Sequence, residues 1–402
     1  MKVAVVHPSL AIKGGAENLM VWMARGLSER GYSVTLFSTD YSEELWNADG
    51  GVQLSISLLK PGFLSRMVNS KRLKVADFSD QLSGLLAGYE VVFCSLFPTH
   101  LWVARARRRG KGVNCRIIWY LQEPARKYYW KITDRHIVDH ARYCQNPLYN
   151  EHLRKCVESR IRGENSWKSR RQILWDRDAV KQIDLILANS EFSADNISRA
   201  FEAPVKVCYP GIPVCPDVRL PQPGDYLLTV SPLRGKKNVH NVIEALHLLS
   251  AKMGRTDIRL KIAGQGPSRA ELEVLVRERN LTSQVEFLGF LDDFELADAY
   301  KKARLTVYIP VDEPFGLIAA ESMSHRVPPI VSDHGGVSEI VSHNQTGLLV
   351  NPFDPEKVAE AIASLWDDTE RIQRMGRAGR ERVEAMFTQR HFLDRVEGFL
   401  RT

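Results

Sequence analysis

"KVAVVHPSLAIKGGAENLMVWMARGLSERGYSVTLFSTD", residues 2–40, decides the fold of the first half of the chain. It starts with a short β-branched run and passes through a glycine-containing loop. A stretch with apolar residues at helical spacing follows, ends at Gly31 and leads into a second β-branched run. A strand, a helix and a strand in this order form a βαβ unit, whose two strands pair in parallel. Residues 2–40 therefore predict an α/β domain.

The same alternation continues along the chain in two series. In the first, "YEVVFCSL", "CRIIWYLQE" and "IDLILANS" each end in polar or turn residues, where open parallel sheets bind ligands. A stretch with five prolines, 208–225, then predicts a linker. The second series runs from "YLLTVSPL" to a helical tail after Pro355. We expect two Rossmann-like domains whose parallel sheets face a central substrate cleft.

Length and composition agree with a two-domain soluble enzyme. The chain has 402 residues, of which 44% are apolar and 26% charged. It has no run of about 18 apolar residues, and its apolar N-terminus reads as a buried strand instead of a signal peptide. Six scattered cysteines without a CxxC pair indicate reduced thiols, so we expect a cytoplasmic protein.

Positive charge is concentrated in the first half. Residues 1–200 carry 30 Lys and Arg against 20 Asp and Glu, whereas residues 201–402 carry 25 against 28. Within the first half, residues 101–181 hold 20 basic and 8 acidic residues. Such a field attracts an anionic partner, although a basic solvated surface without a partner would have the same composition.

The stretch "VDEPFGLIAAES", residues 311–322, predicts an anion site. Proline is favoured at the first helical position, so a helix is expected to begin near Pro314 with Glu313 at its cap. The free N–H groups at its positive end would bind a phosphate. These groups belong to Phe315, Gly316 and Leu317. Glu321 would lie about 12 Å further along the axis, so the two carboxylates would hold opposite ends of an elongated ligand. Alternatively, Glu313 only caps the helix and Glu321 faces water.

Several motifs together resemble glycosyltransferase family 4, the retaining nucleotide-sugar glycosyltransferases. They are "GGAE", "ANSEF", "AGQGP", "VEFLGFL", "EPFGLIAAE", "PPIVSDHGGVSEIV" and "TGLLVNPFDPEKVAEAI". Their order covers nearly the whole chain. The resemblance implies the GT-B fold, with an acceptor-binding domain at 1–207 and a donor-binding domain at 208–385. It also implies that a C-terminal helix, about 386–402, packs back on the first domain.

The resemblance assigns the donor site residue by residue. Glu313 matches the first family glutamate, the catalytic candidate, and Glu321 matches the second, which accepts hydrogen bonds from the nucleotide ribose. Backbone groups complete the site: the helix start holds the diphosphate and sugar, "VEFLGFL" contacts the base, and the "GGAE" glycines close over the phosphates. These donor contacts are Gly14, Gly15, Gly289, Phe290, Phe315, Gly316 and Leu317.

Two cations are expected on the diphosphate. Lys237 matches the family lysine, whereas the usual arginine position holds Pro232 and Arg234 follows two residues later. Two cations and a helix terminus can stabilise the departing charge without a metal. No Asp-x-Asp pair suited to Mg²⁺ is found, and "LDDFEL" reads as a helix cap. We therefore expect a metal-independent hexosyltransferase without a cofactor. His7 and His334 lack a spaced partner for metal binding.

The segment "YLQEPAR" is the expected acceptor or sugar contact. Gln122 stands where many relatives have a histidine, and an amide can hydrogen-bond a sugar hydroxyl but cannot carry a proton. Front-face attack, in which the leaving phosphate takes the acceptor proton, does not require that histidine. Glu123 and Arg126 are further candidates for acceptor contact, with a purely structural role as the alternative.

The basic first half suggests an anionic acceptor or membrane surface. "LWVARARRRGKG", around Trp102, and "GFLSRMVNSKRLK", residues 62–74, mix apolar and basic side chains in a way that suits anionic lipid headgroups. We expect a peripheral enzyme at the cytoplasmic face that glycosylates a glycan or lipid-linked acceptor in polysaccharide or glycolipid biosynthesis. For residues 62–74 the alternative is an ordinary amphipathic helix packed on the domain.

Other activities stay open or are excluded. "YLQEPAR" favours GDP-mannose as donor, and UDP-linked glucose, galactose or N-acetylglucosamine remain alternatives. A non-catalytic sugar-nucleotide or nucleic-acid binding protein is the competing class. Nucleic acid is not expected, because the basic region lacks regularly spaced aromatic residues or a known module. A Rossmann dehydrogenase is excluded because "GGAE", not GxGxxG, follows the first strand.

Overall fold

The computed structural model describes most of the chain, in seven ranges. These are residues 1–12, 14–46, 52–60, 77–110, 114–136, 167–214 and 224–401. The chain divides into two compact units. The first comprises Met1–Thr133, Arg162–Pro210 and Gln389–Thr402, and the second comprises Asp134–Ile161 and Gly211–Thr388. The segment 62–74, expected to contact lipid, lies outside the described residues.

The first unit contains a parallel sheet that has seven strands among the described residues. The strands are β1 (Lys2–Val6), β2 (Ser33–Ser38), β3 (Ser55–Leu58), β4 (Val91–Ser95), β5 (Arg116–Leu121), β6 (Leu185–Ala188) and β7 (Lys206–Val207). Their order across the sheet is β3-β2-β1-β4-β5-β6-β7. β1 pairs in parallel with β2, with Lys2 beside Ser33, which confirms the βαβ unit predicted from residues 2–40.

Helices cover both faces of this sheet. They are α1 (Gly15–Glu29), α2 (Glu43–Trp46), α3 (Ser79–Leu85), α4 (Thr99–Arg109), α5 (Arg126–Thr133), α6 (Trp167–Val180) and α7 (Glu191–Phe201). Alternate residues of β1 enter two different cores: Ala4 and Val6 one, Val3 and Val5 the other. Because successive strand side chains point to opposite faces, a strand buried on both sides reads as a continuous apolar run.

The arginines of α4 are engaged within the first unit. Arg105, Arg107 and Arg108 pair with Asp77, Asp184 and Asp178 at 2.8, 2.8 and 2.5 Å. Arg109 pairs with Asp80. Trp102 is buried and packs edge-on against Phe78, with ring centroids 4.8 Å apart. The expectation that this stretch offers Trp102 to lipid was wrong, because the helix is amphipathic and turns its tryptophan inward.

The second unit contains a parallel sheet that has six strands in the described part of the chain. They are β8 (Tyr226–Val230), β9 (Arg259–Ala263), β10 (Val285–Gly289), β11 (Ala303–Tyr308), β12 (Pro329–Ser332) and β13 (Leu348–Val350). Their order is β10-β9-β8-β11-β12-β13. The two parallel sheets confirm the α/β class of two Rossmann-like domains.

Helices flank this second sheet as well. They are α8 (Val239–Met253), α9 (Arg269–Glu278), α10 (Asp293–Lys302), α11 (Leu317–Ser324), α12 (Val337–Ile340), α13 (Pro355–Trp366) and α14 (Thr369–Met386). Asp292 caps α10 by accepting from the Glu295 N–H at 2.8 Å, and the Glu295 carboxylate accepts from the Asp292 N–H at 3.0 Å. This capping box confirms the interpretation of "LDDFEL" as a helix start.

The last helix, α15 (Gln389–Arg401), groups with the first unit. Its buried residues Phe392, Val396 and Leu400 join the core that contains Val3 and Val5. Arg30, directly after α1, contacts Glu397 at 2.6 Å and Asp394 at 2.8 Å. Among the described residues, every helix is too short or too polar to cross a membrane.

One boundary differs from the sequence-based expectation. The expected first domain extends to residue 207, but Asp134–His136 belong with the second unit. The physical reason is a contact: His136 Nδ1 lies 2.5 Å from the buried carboxylate of Asp312. Sequence patterns could not show that Asp134–His136 join the second unit, because His136 and Asp312 are 176 positions apart.

Candidate active site

A mostly buried ion pair marks the carboxyl edge of the second sheet. Lys237 Nζ lies 2.7 Å from Glu313 Oε2, and the two side chains are 14% and 13% exposed. Lys237 also donates to the Tyr308 hydroxyl at 3.2 Å. Glu313 follows β11 and Lys237 follows β8, two adjacent parallel strands, so both are at the edge where open α/β sheets bind ligands. The structure thus brings together two residues that the sequence assigned to the donor site.

The position of Lys237 is fixed by its backbone neighbours. It ends a short 3₁₀ turn, Gly235–Lys237, and Asn238 follows in the left-handed region with φ +62°. The Asn238 amide donates to the Ile309 and Pro352 carbonyls at 3.0 and 2.7 Å. The Lys236 carbonyl accepts from the Val311 N–H at 2.9 Å. These bonds tie the lysine turn to the chain that leads into Glu313, so the ion pair is held from both sides.

Glu313 is packed against the glycine loop of "SDHGGVSE". The Gly336 N–H donates to the Glu313 carbonyl at 2.8 Å. A Cβ on Gly336 would lie 2.0 Å from the Pro314 carbonyl oxygen, and a Cβ on Gly335 would lie 2.9 Å from that of Glu313. Only glycine permits this approach. The double glycine, which the sequence analysis noted only as part of a motif, is therefore a positioning element.

The helix after Glu313 begins later than expected. α11 starts at Leu317, with Gly316 as its N-cap at φ +92°. Phe315 is buried and packs edge-on against Phe387, with ring centroids 6.0 Å apart. The predicted start near Pro314 was wrong because burial of Phe315 requires a turn before the helix. The estimate of about 12 Å between the two glutamates assumed that earlier start and does not apply.

Although α11 begins later than predicted, its first N–H groups are directed out of the N-terminal end of the helix. The Ala319 N–H already donates to the Gly316 carbonyl at 3.0 Å. Leu317 and Ile318 are the first two helical residues, whose N–H groups have no acceptor within a helix. A partial positive charge at such a terminus favours an anion.

Glu321 lies in the second turn of α11, among aromatic residues. It accepts a hydrogen bond from the Tyr300 hydroxyl at 3.2 Å. Burial raises the pKa of Glu321 to about 6, although the bond from Tyr300 opposes the rise. The pKa of Tyr308 is raised well above its usual value, first by burial and then by Glu313 and Glu321. Tyr300 and Tyr308 were missed by sequence analysis, because an aromatic residue in an apolar stretch reads as core.

The remaining second-unit candidates are more open. Arg234 is exposed, and no residue in the described ranges forms an ion pair with its guanidinium. Gly289 ends β10 at φ +76°, and Phe290 after it is 74% exposed. Phe294, nearby on α10, is 83% exposed. These two aromatic faces are available to stack on a planar ligand; Phe294 was not singled out by sequence analysis.

The first-unit candidates form a separate group. Gly14 is the N-cap of α1, and Gly15 is its first residue. Gln122 is half-buried directly after β5. The Arg126 Nε lies 2.6 Å from both Glu123 oxygens, so these two side chains satisfy each other in this structure. All of these residues lie in the first unit, and their contacts with a ligand stay predictions.

His7 is a buried residue beside the "GGAE" helix. Its Nδ1 lies 2.6 Å from Ser95 Oγ, and its Nε2 lies 3.8 Å from Glu17 Oε1. Burial raises the pKa of Glu17, but His7 and a backbone hydrogen bond together outweigh it, so the net pKa is lowered. His7 therefore packs between the ends of β1 and β4 and the start of α1.

Two groups of side chains bear on metal binding. Asp176 and Asp178 have Asp-x-Asp spacing on α6. Asp176 accepts from Gln172 and Tyr129 at 2.8 and 3.1 Å, whereas Asp178 pairs with Arg108. The two carboxylates thus serve different partners, as i, i+2 residues on a helix do.

The second group is the cluster His136, Asp312 and His334. Here the structure gives His334 the close partners that sequence spacing did not indicate.

Two family models cover almost the entire chain. The model described as Glycosyltransferase Family 4 matches residues 13–214, and that described as Glycosyl transferases group 1 matches residues 216–382. Together with the two parallel sheets and the paired Glu313 and Lys237, these matches define a glycosyltransferase of the GT-B type. The chain belongs to glycosyltransferase family 4.

Individual relatives agree with this assignment. An uncharacterized glycosyltransferase of Methanocaldococcus jannaschii is 34% identical over 142 residues, which cover 35% of this chain and only 36% of that relative. The alpha-1,3/1,6-mannosyltransferase ALG2 of Rhizomucor pusillus is 25% identical over 100% of this chain and 91% of its own length. The fold is similar to that of Anabaena HepE, solved in complex with UDP and glucose. That structure has a TM-score of 0.73 and 17% identity, and the match covers 100% of this chain and 99% of that one.

Proposed function

We propose that this chain transfers a hexose from a nucleotide-sugar donor to an acceptor hydroxyl, with retention of the anomeric configuration. The observation that carries the proposal is the pairing of Lys237 with Glu313 at 2.7 Å, directly before the N-terminus of α11. A cation, a carboxylate and a helix start at one sheet edge suit a sugar that is attached to a diphosphate.

In this proposal the second unit binds the donor. Lys237 and the first N–H groups of α11 hold the diphosphate, and exposed Arg234 is free to move onto it. Glu321, which the Tyr300 hydroxyl orients, accepts hydrogen bonds from the ribose. Gly289 and Phe290 contact the base. Gly14 and Gly15, together with Gln122 and Glu123 or Arg126, supply the contacts from the first unit.

The proposed step follows the front-face route. The bond between the anomeric carbon and the diphosphate oxygen breaks, and a bond from the acceptor oxygen forms on the same face. The acceptor proton passes to the departing diphosphate, whose charge is stabilised by Lys237 and the helix terminus. Glu313 lies beside the sugar and stabilises the positive charge that develops at the anomeric carbon. The residues in this proposal carry the step without a metal or cofactor.

GDP-mannose is the first candidate donor. It is supported by the "YLQEPAR" segment and by the mannosyltransferase relative that aligns along the full chain. A UDP-hexose is the second candidate, supported by the UDP and glucose in the Anabaena HepE structure. A thermal-shift panel of GDP, UDP, ADP and dTDP separates them, because the matching nucleotide should raise the melting temperature most. No shift with any of the four would favour the competing class, a non-catalytic binding protein, which family membership does not favour.

The acceptor is proposed to be a glycan or a lipid-linked saccharide at an anionic membrane surface. The support is the excess of basic residues in 101–181. Because Trp102 of α4 is buried, segment 62–74, whose sequence mixes apolar and basic residues, is the second support and the lipid-contacting candidate. Co-sedimentation with vesicles at low salt tests this. Recovery that is greater with anionic than with neutral vesicles supports membrane docking, and equal recovery would exclude it.

The assigned role of Glu313 is tested by Glu313→Gln. This change keeps the shape of the side chain but removes the negative charge, so we expect turnover to fall by about 100-fold or more while the circular dichroism spectrum is unchanged. Glu286→Gln is the matched control, since Glu286 is an exposed glutamate that pairs with Lys261 at 3.3 Å. Undiminished turnover in Glu313→Gln would refute the role.

A further inference from the structure

Three side chains that the transfer reaction does not use converge beside Glu313. His136 Nδ1 lies 2.5 Å from Asp312 Oδ1, and the rings of His136 and His334 have centroids 4.3 Å apart. One potential ligand atom from each of the three residues lies within 4.8 Å of the others. All three belong to the second unit. Two imidazoles and one carboxylate at this spacing can share a single ion.

The ring of His334 is held as a metal-binding histidine would be. Its Nδ1 lies 3.0 Å from Asp333 Oδ1, and the ring stacks on Phe353 with an interplanar angle of 14°. The Nε2 atom is buried and has no hydrogen-bond partner among the described residues. A carboxylate on one ring nitrogen fixes the tautomer and leaves the lone pair of the other nitrogen for a metal. A buried ring nitrogen without a partner is otherwise costly.

Asp312 supplies the negative charge. Its side chain is fully buried, and its backbone has φ +51°, a region that a non-glycine residue rarely adopts. A buried carboxylate requires compensation by a cation or hydrogen bonds. A metal ion bound between His136 and Asp312 would replace their direct hydrogen bond and supply the compensating positive charge.

From this geometry we propose that His136, Asp312 and His334 bind a transition-metal dication of the Zn²⁺ class. Imidazole nitrogens favour Zn²⁺, Co²⁺ and Ni²⁺ over Mg²⁺ or Ca²⁺, which prefer oxygen ligands. Three protein ligands leave a coordination position open for water or a ligand. The ion would join the segment before Glu313 to the loop before Gly335, and so hold the backbone of the proposed catalytic glutamate. It is not a participant in the transfer step.

Metal stoichiometry tests this site independently of turnover. After treatment with EDTA and its removal, the full chain is dialysed against Zn²⁺, and bound metal is measured by mass spectrometry. We expect about one tightly bound Zn²⁺ per chain, lost in His334→Ala and in His136→Ala. His247→Ala, a change of a partly exposed histidine on α8, is the matched control and should retain the ion.

Co²⁺ binding to the wild-type protein tests the site even if a histidine variant does not fold. The wild-type protein should show the visible absorption of Co²⁺ with four or five ligands, and titration with Zn²⁺ should abolish it. Failure of the wild type to bind either ion stoichiometrically would overturn the proposal. So would retention of the full amount in a folded His334→Ala variant. Neither result would bear on the donor site, whose test is nucleotide binding and transfer.

Discussion

At the scale of single residues, the two glutamates of "EPFGLIAAE" have different surroundings. Glu313 has a lysine at 2.7 Å, whereas Glu321 accepts from a tyrosine hydroxyl at 3.2 Å. A cation favours an ionised carboxylate, but a neutral hydroxyl compensates burial only in part. Glu321 therefore has its pKa raised to about 6. An ionised carboxylate that is only partly compensated in the free protein is expected where a ligand supplies the missing hydrogen bonds. For Glu321 we propose that this ligand is the ribose.

The raised pKa of Glu321 predicts a stability effect with a defined sign. The folded state holds the proton more tightly than the unfolded state, whose pKa is near the ordinary 4.5. Its contribution to stability is thus fully present below about pH 4.5 and is lost as the pH rises through about 6. Glu321→Gln mimics the protonated form, so we expect its melting temperature at pH 7.5 to exceed that of the wild type by roughly 2–4 °C.

Melting curves at pH 4.5 and pH 7.5 check this prediction, with Glu286→Gln as the exposed control. The advantage of Glu321→Gln should shrink toward zero at the lower pH. A variant that is less stable than the wild type at pH 7.5 would show that the ionised carboxylate is well compensated. The same variant should bind the nucleotide more weakly, since an amide accepts fewer hydrogen bonds than a carboxylate.

Single residues also show what the sequence could and could not reveal. Lys237 and Glu313 were each assigned to the donor site because both lie in recognisable motifs after strands, but their ion pair was not predicted. The cluster of His136, Asp312 and His334 was not, because its members are 176 and 22 positions apart and no local pattern connects them. Tyr300 and Tyr308 are polar partners whose position among apolar residues concealed their role.

At the scale of elements, the loop "HGG" determines where the "EPFG" segment lies. The Cβ of an alanine at position 336 would lie 2.0 Å from the Pro314 carbonyl oxygen, so that backbone must move. We expect Gly336→Ala to destabilise the second unit by about 1–3 kcal/mol and to reduce transfer. Gly398→Ala is the control, because no atom lies within 4 Å of a Cβ added to Gly398 on α15. The denaturation midpoints of both variants are measured by chemical denaturation. Equal midpoints for Gly336→Ala and Gly398→Ala would contradict this account.

The start of α11 shows why element boundaries escape sequence analysis. Pro314 is a favoured first residue of a helix, and local propensity placed the start there. Tertiary packing overrides that preference, since Phe315 is buried against Phe387, 72 residues later, and Gly316 reverses the chain at φ +92°. Strands with apolar runs were predicted, because their pattern does not depend on distant partners. The partly exposed edge strands β3 and β7 were missed, because they lack such a run.

At the scale of the whole molecule, the C-terminal helix is part of the first unit's core. Phe392 packs edge-on against Tyr120 of β5, with ring centroids 5.9 Å apart, and both are almost completely buried. We expect Phe392→Ala to destabilise the first unit by about 3–5 kcal/mol. Hydrogen exchange of the β5 amides should accelerate in this variant but not in Arg390→Ala, whose arginine is 85% exposed. Unchanged exchange in Phe392→Ala would show that the helix is not integral to that core.

The central claim is that the edge of the second sheet binds a nucleoside diphosphate through Lys237. Isothermal titration of GDP, UDP, ADP and dTDP into the wild type and Lys237→Ala tests it most directly. Lys252→Ala is the control, because Lys252 is an exposed lysine paired with Glu356 at 2.6 Å. We predict that one nucleotide binds the wild type and the control equally well and binds Lys237→Ala about 10- to 100-fold more weakly, as loss of a charged hydrogen bond implies. Binding of none of the four to the wild type, or equal affinity for Lys237→Ala, would contradict the claim.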